Sequence, residues 1–245
     1  MDFNIKDFEV IVTGGTRGIG KAVTELFLRE KCRVTAIYGG NDAAAEALSN
    51  QWTTFPLKTV KLDVADYDAV EQFYRDFDAT HETLDLLVNC AGIRRDAVVG
   101  MMSSDDWNAV VNINLTGTFN MSKFAVQKMM QNRFGRIISI TSPSGRIGIA
   151  GQANYAASKA GQVAFTKSLS KEVARRGITV NCISPGFIET ELIADLEPEL
   201  RKTYKGQVPL KRFGKPEEIA DTVAFIASRQ AAYITGTTLE VSGGL

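Results

Sequence analysis

The chain has 245 residues, and its 28 basic side chains balance 28 acidic ones, so the formal net charge at pH 7 is zero. This length allows one α/β domain with a sizeable core, and the balanced charge gives no field that would favour nucleic acid or an anionic membrane. The N-terminus is too polar for a cleavable signal, and no apolar run approaches transmembrane length. We therefore expect a cytoplasmic protein without nucleic-acid or membrane partners.

Apolar runs typical of strands alternate with helical patterns along the chain. The predicted strands are Glu9–Thr13, Arg33–Tyr38, Thr59–Asp63, Leu84–Asn89, Arg136–Thr141, Thr179–Ser184 and Thr238–Val241. This alternation predicts an α/β fold, a Rossmann-type doubly wound parallel sheet with helices on both faces. No repeat, low-complexity stretch or linker marks a second domain, so residues 1–245 are expected to form one dinucleotide-binding and catalytic domain.

A glycine-rich turn, T-G-G-T-R-G-I-G at 13–20, follows the first predicted strand and precedes a helical pattern. In this context glycines let the backbone approach a pyrophosphate, and the helix N-terminus supplies amides and partial positive charge. A tight connection is the simpler alternative, but the position between strand and helix favours cofactor binding. The candidate cofactor residues of the turn are Gly14, Thr16, Arg17, Gly18, Ile19 and Gly20.

The cysteines and the histidine do not suggest a metal site. Cys32, Cys90 and Cys182 are an odd, sparse set, which is not a disulfide framework. Cys90 and Cys182 lie in apolar contexts and are expected to be buried. The only histidine, His81, is expected at the surface, and no metal ligand set is predicted.

Two helices are singled out in the second half of the pattern. Ser103 and Ser104 are expected to cap a helix that continues towards Met130. The other helix runs from about 152 to 175 and has a face of small residues, which suits close approach of a second helix, either in a subunit contact or on the chain's own sheet. The small residues are Ala153, Ala157, Ala160, Gly161 and Ala164.

Tyr155 and Lys159 stand four residues apart in this second helix, and therefore on one face of it. A phenol titrates near pH ~10, and a neighbouring ammonium favours the phenolate, so we expect the pair to exchange protons nearer neutrality. Ser142 adds a hydroxyl that can hold a substrate oxygen. The Y-x-x-x-K spacing alone is weak evidence, because Tyr and Lys commonly share a helix face.

The ordered motifs resemble those of the short-chain dehydrogenase/reductase family over essentially the whole chain. Beside the glycine turn and the Ser142, Tyr155 and Lys159 set, they are N-C-A-G at 89–92, Asn114 within V-N-I-N-L-T-G, and Pro185-Gly186. Within the family, the chain is most similar to bacterial-type β-ketoacyl-acyl-carrier-protein reductases. The stretches that carry this likeness include G-R-I-I at 135–138, G-Q-A-N-Y-A-A-S-K-A-G at 151–161 and R-G-I-T-V-N at 176–181.

The resemblance implies hydride transfer from a nicotinamide to a ketone, with Ser142, Tyr155, Lys159 and Asn114 as catalytic residues. Tyr155 would donate the proton, Lys159 would also bind the nicotinamide ribose, and Asn114 would hold a water that passes protons onward. The hydroxyls of Ser139, Thr141 and Ser144 compete with Ser142, and Asn114 has a purely structural alternative. Further implied cofactor residues are Asn41, Asp63, Val64, Asn89, Ala91, Gly92, Pro185, Gly186, Ile188 and Thr190, together with Tyr155 and Lys159.

NADPH is the predicted cofactor. NAD-selective folds place an acid at the end of the second strand, where this chain has Tyr38. Arg17 lies where similar reductases bind the 2′-phosphate, a task that suits a guanidinium. Asp42 is the alternative, since it could reach back to a ribose. Cys90 departs from the family's N-N-A-G, at a position expected to offer its main chain.

The resemblance also implies a substrate lid at about 187–212, an acyl thioester substrate and a homo-oligomer, most often a tetramer. Arg133 and Arg176 match positions at which such reductases dock an acidic acyl carrier protein, in a basic patch that would include Lys128, Arg136 and Arg175. The predicted activity is reduction of 3-oxoacyl-acyl-carrier-protein in fatty-acid synthesis. Alternatives are reduction of acetoacetyl-CoA or another small ketone or sugar, and a non-catalytic nucleotide sensor.

Overall fold

A single parallel sheet forms the centre of the molecule in the computed structural model, which describes residues 3–191 and 197–245. Its strands are β1 (Glu9–Thr13), β2 (Arg33–Tyr38), β3 (Leu57–Lys61), β4 (Leu86–Asn89), β5 (Gly135–Ile140), β6 (Ile178–Pro185) and β7 (Thr238–Val241). Their order is β3-β2-β1-β4-β5-β6-β7, all parallel. The order reverses between β1 and β4, where the carboxyl ends of the strands open the crevice that binds ligands in such sheets.

Helices cover both faces of the sheet, which confirms the predicted fold class. They are α1 (Gly18–Arg29), α2 (Asp42–Gln51), α3 (Tyr67–Asp78), α4 (Ser104–Val111), α5 (Gly117–Asn132), α6 (Ser144–Ile147), α7 (Ala153–Val173), α8 (Pro198–Gln207) and α9 (Pro216–Ala227). One core joins α1 and α9 to the sheet around Phe27 and Val223. The other joins α3, α5 and α7 to the opposite face, around Met121 and Ile137.

The predicted strand positions hold, although the bounds of four strands shift. The largest shift is in β3, which lies two residues earlier than predicted because its length follows its partner: Leu57 pairs with Val34 and Lys61 with Tyr38, where β2 ends. β4 is shorter than predicted at its start, while β5 begins one residue early and β6 extends at both ends. Asp63 therefore lies in the connection after β3, not within the strand.

The helix predicted from Ser103 towards Met130 contains a π-helical segment. The Ser103 hydroxyl accepts a hydrogen bond from the main-chain N–H of Asp106 at 3.0 Å, which confirms the predicted cap. After α4, residues Asn112–Thr116 form the π-helical segment, and α5 continues the same path. Such segments are frequent at functional sites, and this one holds Asn114 fully buried.

The predictions for the cysteines and for the histidine are confirmed only in part. Cys182 is buried, as expected, whereas Cys90 is only half-buried, because it lies in the loop that follows the end of β4. His81 is half-buried rather than a surface residue, because its ring stacks on Phe77 at 4.1 Å between centroids and its Nε2 lies 3.5 Å from a Glu9 carboxylate oxygen.

The segment predicted as a lid contains α8, and residues 192–196 of the lid prediction lie outside the described residues. The start of this segment is joined to the body by β-bridge pairing of Ile188 with Gly214. Within 3–191 and 197–245, no helix combines the length and the apolar character needed to cross a membrane.

Candidate active site

The glycine turn is folded so tightly that a Cβ would meet main-chain atoms at three of its positions, Gly14, Gly15 and Gly20. A Cβ on Gly20 would lie 2.1 Å from the carbonyl oxygen of Gly14, and Gly14 itself has φ +65° with Ala91 main-chain atoms only 3.1 Å from a Cβ. The close approach brings the start of α1 directly beside the end of β4. No side chain caps the N-terminus of α1, so its first amides are available to an anion such as a pyrophosphate.

Thr13 was not among the site residues predicted from the sequence, yet it joins the glycine turn to the N-C-A-G segment. Its hydroxyl oxygen accepts hydrogen bonds from the main-chain N–H groups of Cys90 and Ala91, each at 3.0 Å. Cys90 thus contributes its main chain here, and burial raises the pKa of its thiol to about 11. The amide of Asn89 points into the protein, donating to Ser122 at 3.0 Å. The segment is therefore fixed from β1 on one side and α5 on the other.

The remaining predicted cofactor residues also lie at the ends of strands. A Cβ on Gly92 would lie 3.3 Å from Asn114 Oδ1 and 3.7 Å from Lys159 Nζ, and a Cβ on Gly18 would lie 3.3 Å from the Thr190 methyl. Glycine at 92 and 18 therefore leaves a cradle that spans from the turn to Lys159. Pro185 ends β6, Gly186 follows it, and Ile188 is buried beyond them.

The adenine-side residues have structural contacts of their own. Asn41 caps α2 by accepting from the Ala44 N–H at 2.9 Å, and Asp63 accepts from the Ala65 N–H at 2.9 Å. Val64 is buried and packs against Gly117.

Asp42 and Arg17, the two residues predicted to bear on the choice between NADH and NADPH, differ in their contacts. Asp42 accepts a hydrogen bond from Lys61 at 2.9 Å, and this bond, with a second from Tyr38, lowers the pKa of the carboxyl. Arg17 stands exposed at the N-cap position of α1, beside the glycine turn. Asp42 is thus held by Tyr38 and Lys61, while the Arg17 guanidinium is exposed.

Ser142 and Tyr155 are neighbours, and both side chains are half-buried. Burial raises the pKa of the Tyr155 phenol, and the interaction with Ser142 and the charge of Arg94 oppose that rise. The rival hydroxyls of Ser139 and Thr141 are buried, and Thr141 donates to the Ile183 carbonyl. Exposure therefore separates Ser142 from these two rivals. The third rival, Ser144, is also buried and accepts from Ser142 at 3.2 Å.

The predicted pairing of Tyr155 with the Lys159 ammonium is altered in the structure. Lys159 Nζ lies 5.5 Å from the Tyr155 ring centroid and donates instead to the carbonyl of Ile140 at 2.8 Å. Burial lowers the pKa of Lys159 to about 8. The expectation that Lys159 brings the pKa of Tyr155 towards neutrality is thus wrong here, because burial of the phenol outweighs a charge that is directed elsewhere.

Asn114 is held by hydrogen bonds on its side chain and its main chain. Its Oδ1 accepts from the Ile93 N–H at 2.8 Å, and its Nδ2 donates to the Ile93 carbonyl and to Ser158, each at 3.1 Å. Its main-chain carbonyl accepts from Thr118 Oγ1 at 2.7 Å and from Gln162 Nε2 at 2.8 Å. The Gln162 amide therefore binds the main-chain carbonyl of Asn114, and Gln162 was not among the site residues predicted from the sequence.

A chain of hydrogen bonds that was not predicted runs from Ser142 to the surface. Ser144 donates to Gln152 at 3.3 Å, Gln152 donates to Asp96 at 3.1 Å, and Arg94 binds Asp96 at 2.7 Å. Gln152 stands one helical turn before Tyr155, a spacing that identifies it as a neighbour of the site. The chain fixes the orientation of Ser144, and through it the hydroxyl of Ser142.

The predicted basic patch is smaller than expected. Arg133 and Arg176 are exposed, and their loops meet where Arg133 donates to the Arg175 carbonyl at 3.1 Å. Lys128 is buried and paired with Asp78 at 3.0 Å, and Arg136 is buried over the Phe134 ring. Lys128 and Arg136 therefore do not belong to the surface patch, because their aliphatic stems pack inside the fold and their charged groups have partners there.

Comparisons with known proteins place this arrangement in a family. A family model described as Enoyl-(Acyl carrier protein) reductase matches residues 14–245. The chain is 43% identical over 245 residues to a 3-oxoacyl-[acyl-carrier-protein] reductase FabG of Vibrio harveyi, covering 99% of this chain and 98% of that protein. It is 43% identical over 235 residues to the FabG of Escherichia coli and, over the same length, to an acetoacetyl-CoA reductase of Shinella zoogloeoides, with 96% of each chain covered.

The chain belongs to the short-chain dehydrogenase/reductase family, whose members are oxidoreductases that use a nicotinamide cofactor. The glycine cradle and the uncapped N-terminus of α1 fit that cofactor.

Proposed function

We propose that the protein reduces 3-oxoacyl-acyl-carrier-protein to the 3-hydroxyacyl form, with NADPH as the reductant. The observation that carries the proposal is the placement of Ser142 beside Tyr155, with Lys159 one turn further along the same helix as Tyr155. The similarity to 3-oxoacyl-[acyl-carrier-protein] reductases over the whole chain supports the substrate class.

The cofactor, when bound, supplies the hydride that reaches the ketone carbon. Negative charge then develops on the carbonyl oxygen, where Ser142 and Tyr155 provide two hydrogen-bond donors. The raised pKa of Tyr155 keeps the phenol protonated at neutral pH, so that its proton is available for that oxygen. A proton from solvent then restores the phenol, while Lys159 stays bound to the Ile140 carbonyl.

NADPH is favoured over NADH because Arg17 is exposed beside the glycine turn, and Tyr38 rather than an acid ends β2. The neighbouring carboxylate, Asp42, is held by Lys61. These positions together favour a cofactor with a 2′-phosphate.

The carrier protein is proposed to dock at Arg133 and Arg176, which are exposed on adjacent loops. An acidic carrier would be attracted to this pair of positive charges. We further propose a cytoplasmic homotetramer. Ala157, Ala160 and Ala164 remain exposed on α7, beside a half-exposed Phe119, and offer a surface for a second subunit.

A substrate panel separates this activity from its alternatives. The kcat/KM for acetoacetyl groups carried by acyl carrier protein and by CoA would be measured with NADPH and with NADH. We expect the carrier-bound substrate with NADPH to be preferred. A preference for the CoA thioester would support the acetoacetyl-CoA reductase activity that the Shinella relative carries by name. NADPH binding without turnover of any ketone would support a nucleotide-sensing role.

A further inference from the structure

Gln162 is fully buried on α7, three residues after Lys159, and contacts two of the proposed catalytic residues. Its Oε1 accepts a hydrogen bond from the Lys159 ammonium at 3.1 Å. Its Nε2 donates to the Asn114 carbonyl at 2.8 Å and to the Thr118 hydroxyl at 2.7 Å. The Gln162 side chain therefore connects Lys159 to the π-helical segment that contains Asn114.

The orientation of this amide follows from its partners. An ammonium only donates and a main-chain carbonyl only accepts, so the oxygen must face Lys159 and the nitrogen must face Asn114. The Thr118 hydroxyl also donates to the Asn114 carbonyl, at 2.7 Å. Both lone pairs of that carbonyl are then used, which leaves it no capacity for a bound water.

We propose that Gln162 is a positioning residue for Lys159, and that its amide replaces a water as the link between Lys159 and Asn114. The inference rests on the proposed function. Ile140 and Gln162 together accept two of the three ammonium hydrogens, and the third is left for the crevice beside Gly92. An amide keeps its hydrogens at neutral pH, so this link holds Lys159 in place and does not carry protons.

The surroundings of Lys159 make Gln162 important for its charge. The titratable groups that face Lys159 are the thiols of Cys90, after β4, and Cys182, on β6, with the phenol of Tyr155 on its own helix. These groups are neutral near pH 7. The ammonium is therefore stabilised by the two carbonyl oxygens, of which only the Gln162 oxygen can be changed by substitution.

The test measures the pKa of Lys159 in the cofactor-free protein by NMR of lysine labelled at 13Cε, with the resonance assigned by its loss in Lys159→Met. Gln162→Met removes the acceptor at similar volume and is expected to lower the pKa of Lys159 by roughly one to two units. Gln162→Glu places a carboxylate against the ammonium and is expected to raise it. Thr166→Val is the matched control, because it removes another buried hydroxyl on α7, one that accepts from Cys182, and should leave the pKa unchanged.

The kinetic readout should follow the same order. The alkaline limb of kcat/KM for NADPH is expected to move to lower pH in Gln162→Met and to higher pH in Gln162→Glu. A Lys159 pKa that is the same in wild type and in both Gln162 variants would overturn the proposal, and if the Met variant fails to fold, the Glu variant decides alone. Because the NMR titration needs neither cofactor nor substrate, a failure of the wild type to reduce 3-oxoacyl thioesters would refute the proposed function and leave this result readable.

Discussion

The Lys159 ammonium donates a hydrogen bond to the main-chain carbonyl of Ile140, 2.8 Å away. Ile140 is the last residue of β5, and Ser142 follows it by two positions. A single bond thus ties the lysine of α7 to the strand that precedes Ser142, the proposed substrate-binding hydroxyl. The same placement buries the ammonium, and this burial lowers the pKa of Lys159.

Reduction should lose rate as pH rises through about 8. Burial lowers the pKa of Lys159 from 10.5 to about 8, so the side chain is charged below that pH and neutral above it. If the charged form is required, kcat/KM for NADPH should fall about tenfold per pH unit beyond the pKa. A profile that stays flat up to about pH 10, the usual range for a lysine, would show either that the pKa of Lys159 is not lowered or that its charge is not required.

Tyr155→Phe should lower kcat for ketone reduction by about 10²–10⁴-fold, the usual contribution of a general acid. The ring keeps its packing while the donor is lost, so NADPH affinity, measured by fluorescence titration, should change little. Tyr74→Phe is the control, since it removes a buried hydroxyl that donates to the Met121 carbonyl, far along the chain from the site. Turnover near the wild-type rate in Tyr155→Phe would exclude Tyr155 as the proton donor.

Arg17→Ala should weaken NADPH binding much more than NADH binding. A charge-assisted contact to the 2′-phosphate would be lost, by about tenfold to a hundredfold in affinity. The control is Arg29→Ala at the other end of α1, where the guanidinium lies 3.6 Å from Glu25. Equal losses for the two cofactors would show that Arg17 does not read the 2′-phosphate.

Reversing the charges of Arg133 and Arg176 together to Glu should lower kcat/KM for carrier-bound substrate and spare small thioester analogues. Two attractive contacts with an acidic carrier become repulsive, and the effect should shrink as salt rises. A double reversal of the exposed Arg29 and Arg75 changes the net charge equally and serves as the control. Proportional losses on carrier-bound and small substrates would refute docking at this surface and favour the CoA or small-ketone alternative.

Ala164→Glu should reduce the oligomer to smaller species in sedimentation at micromolar concentration. Ala164 is exposed on α7 in line with Ala157 and Ala160, and a carboxylate there would be buried without a partner if two α7 helices meet. Ala43→Glu, at an exposed position of α2, should leave the assembly intact. A wild-type protein that sediments only as a monomer would contradict the tetramer itself.

Several features of this protein are determined by the sequence alone. The strand, glycine turn and helix at 9–29 are local, and Tyr155 and Lys159 share a helix face because of a four-residue spacing. The order of such motifs along the chain was enough to predict the fold and the family, which the sheet order and the comparisons confirm. The roles of the individual site residues stay predictions.

Tertiary structure decided what depends on burial, because burial is a sum over segments that are distant in the chain. It raised the pKa of Tyr155 where local charge reasoning predicted a decrease, and it took Lys128 and Arg136 out of the predicted surface patch. It also placed Gln162 between Lys159 and Asn114, a contact joining residues 48 positions apart. Spacing within α7 puts Gln162 beside Lys159, but only the packing of α7 on the π-helical segment gives its amide a second partner.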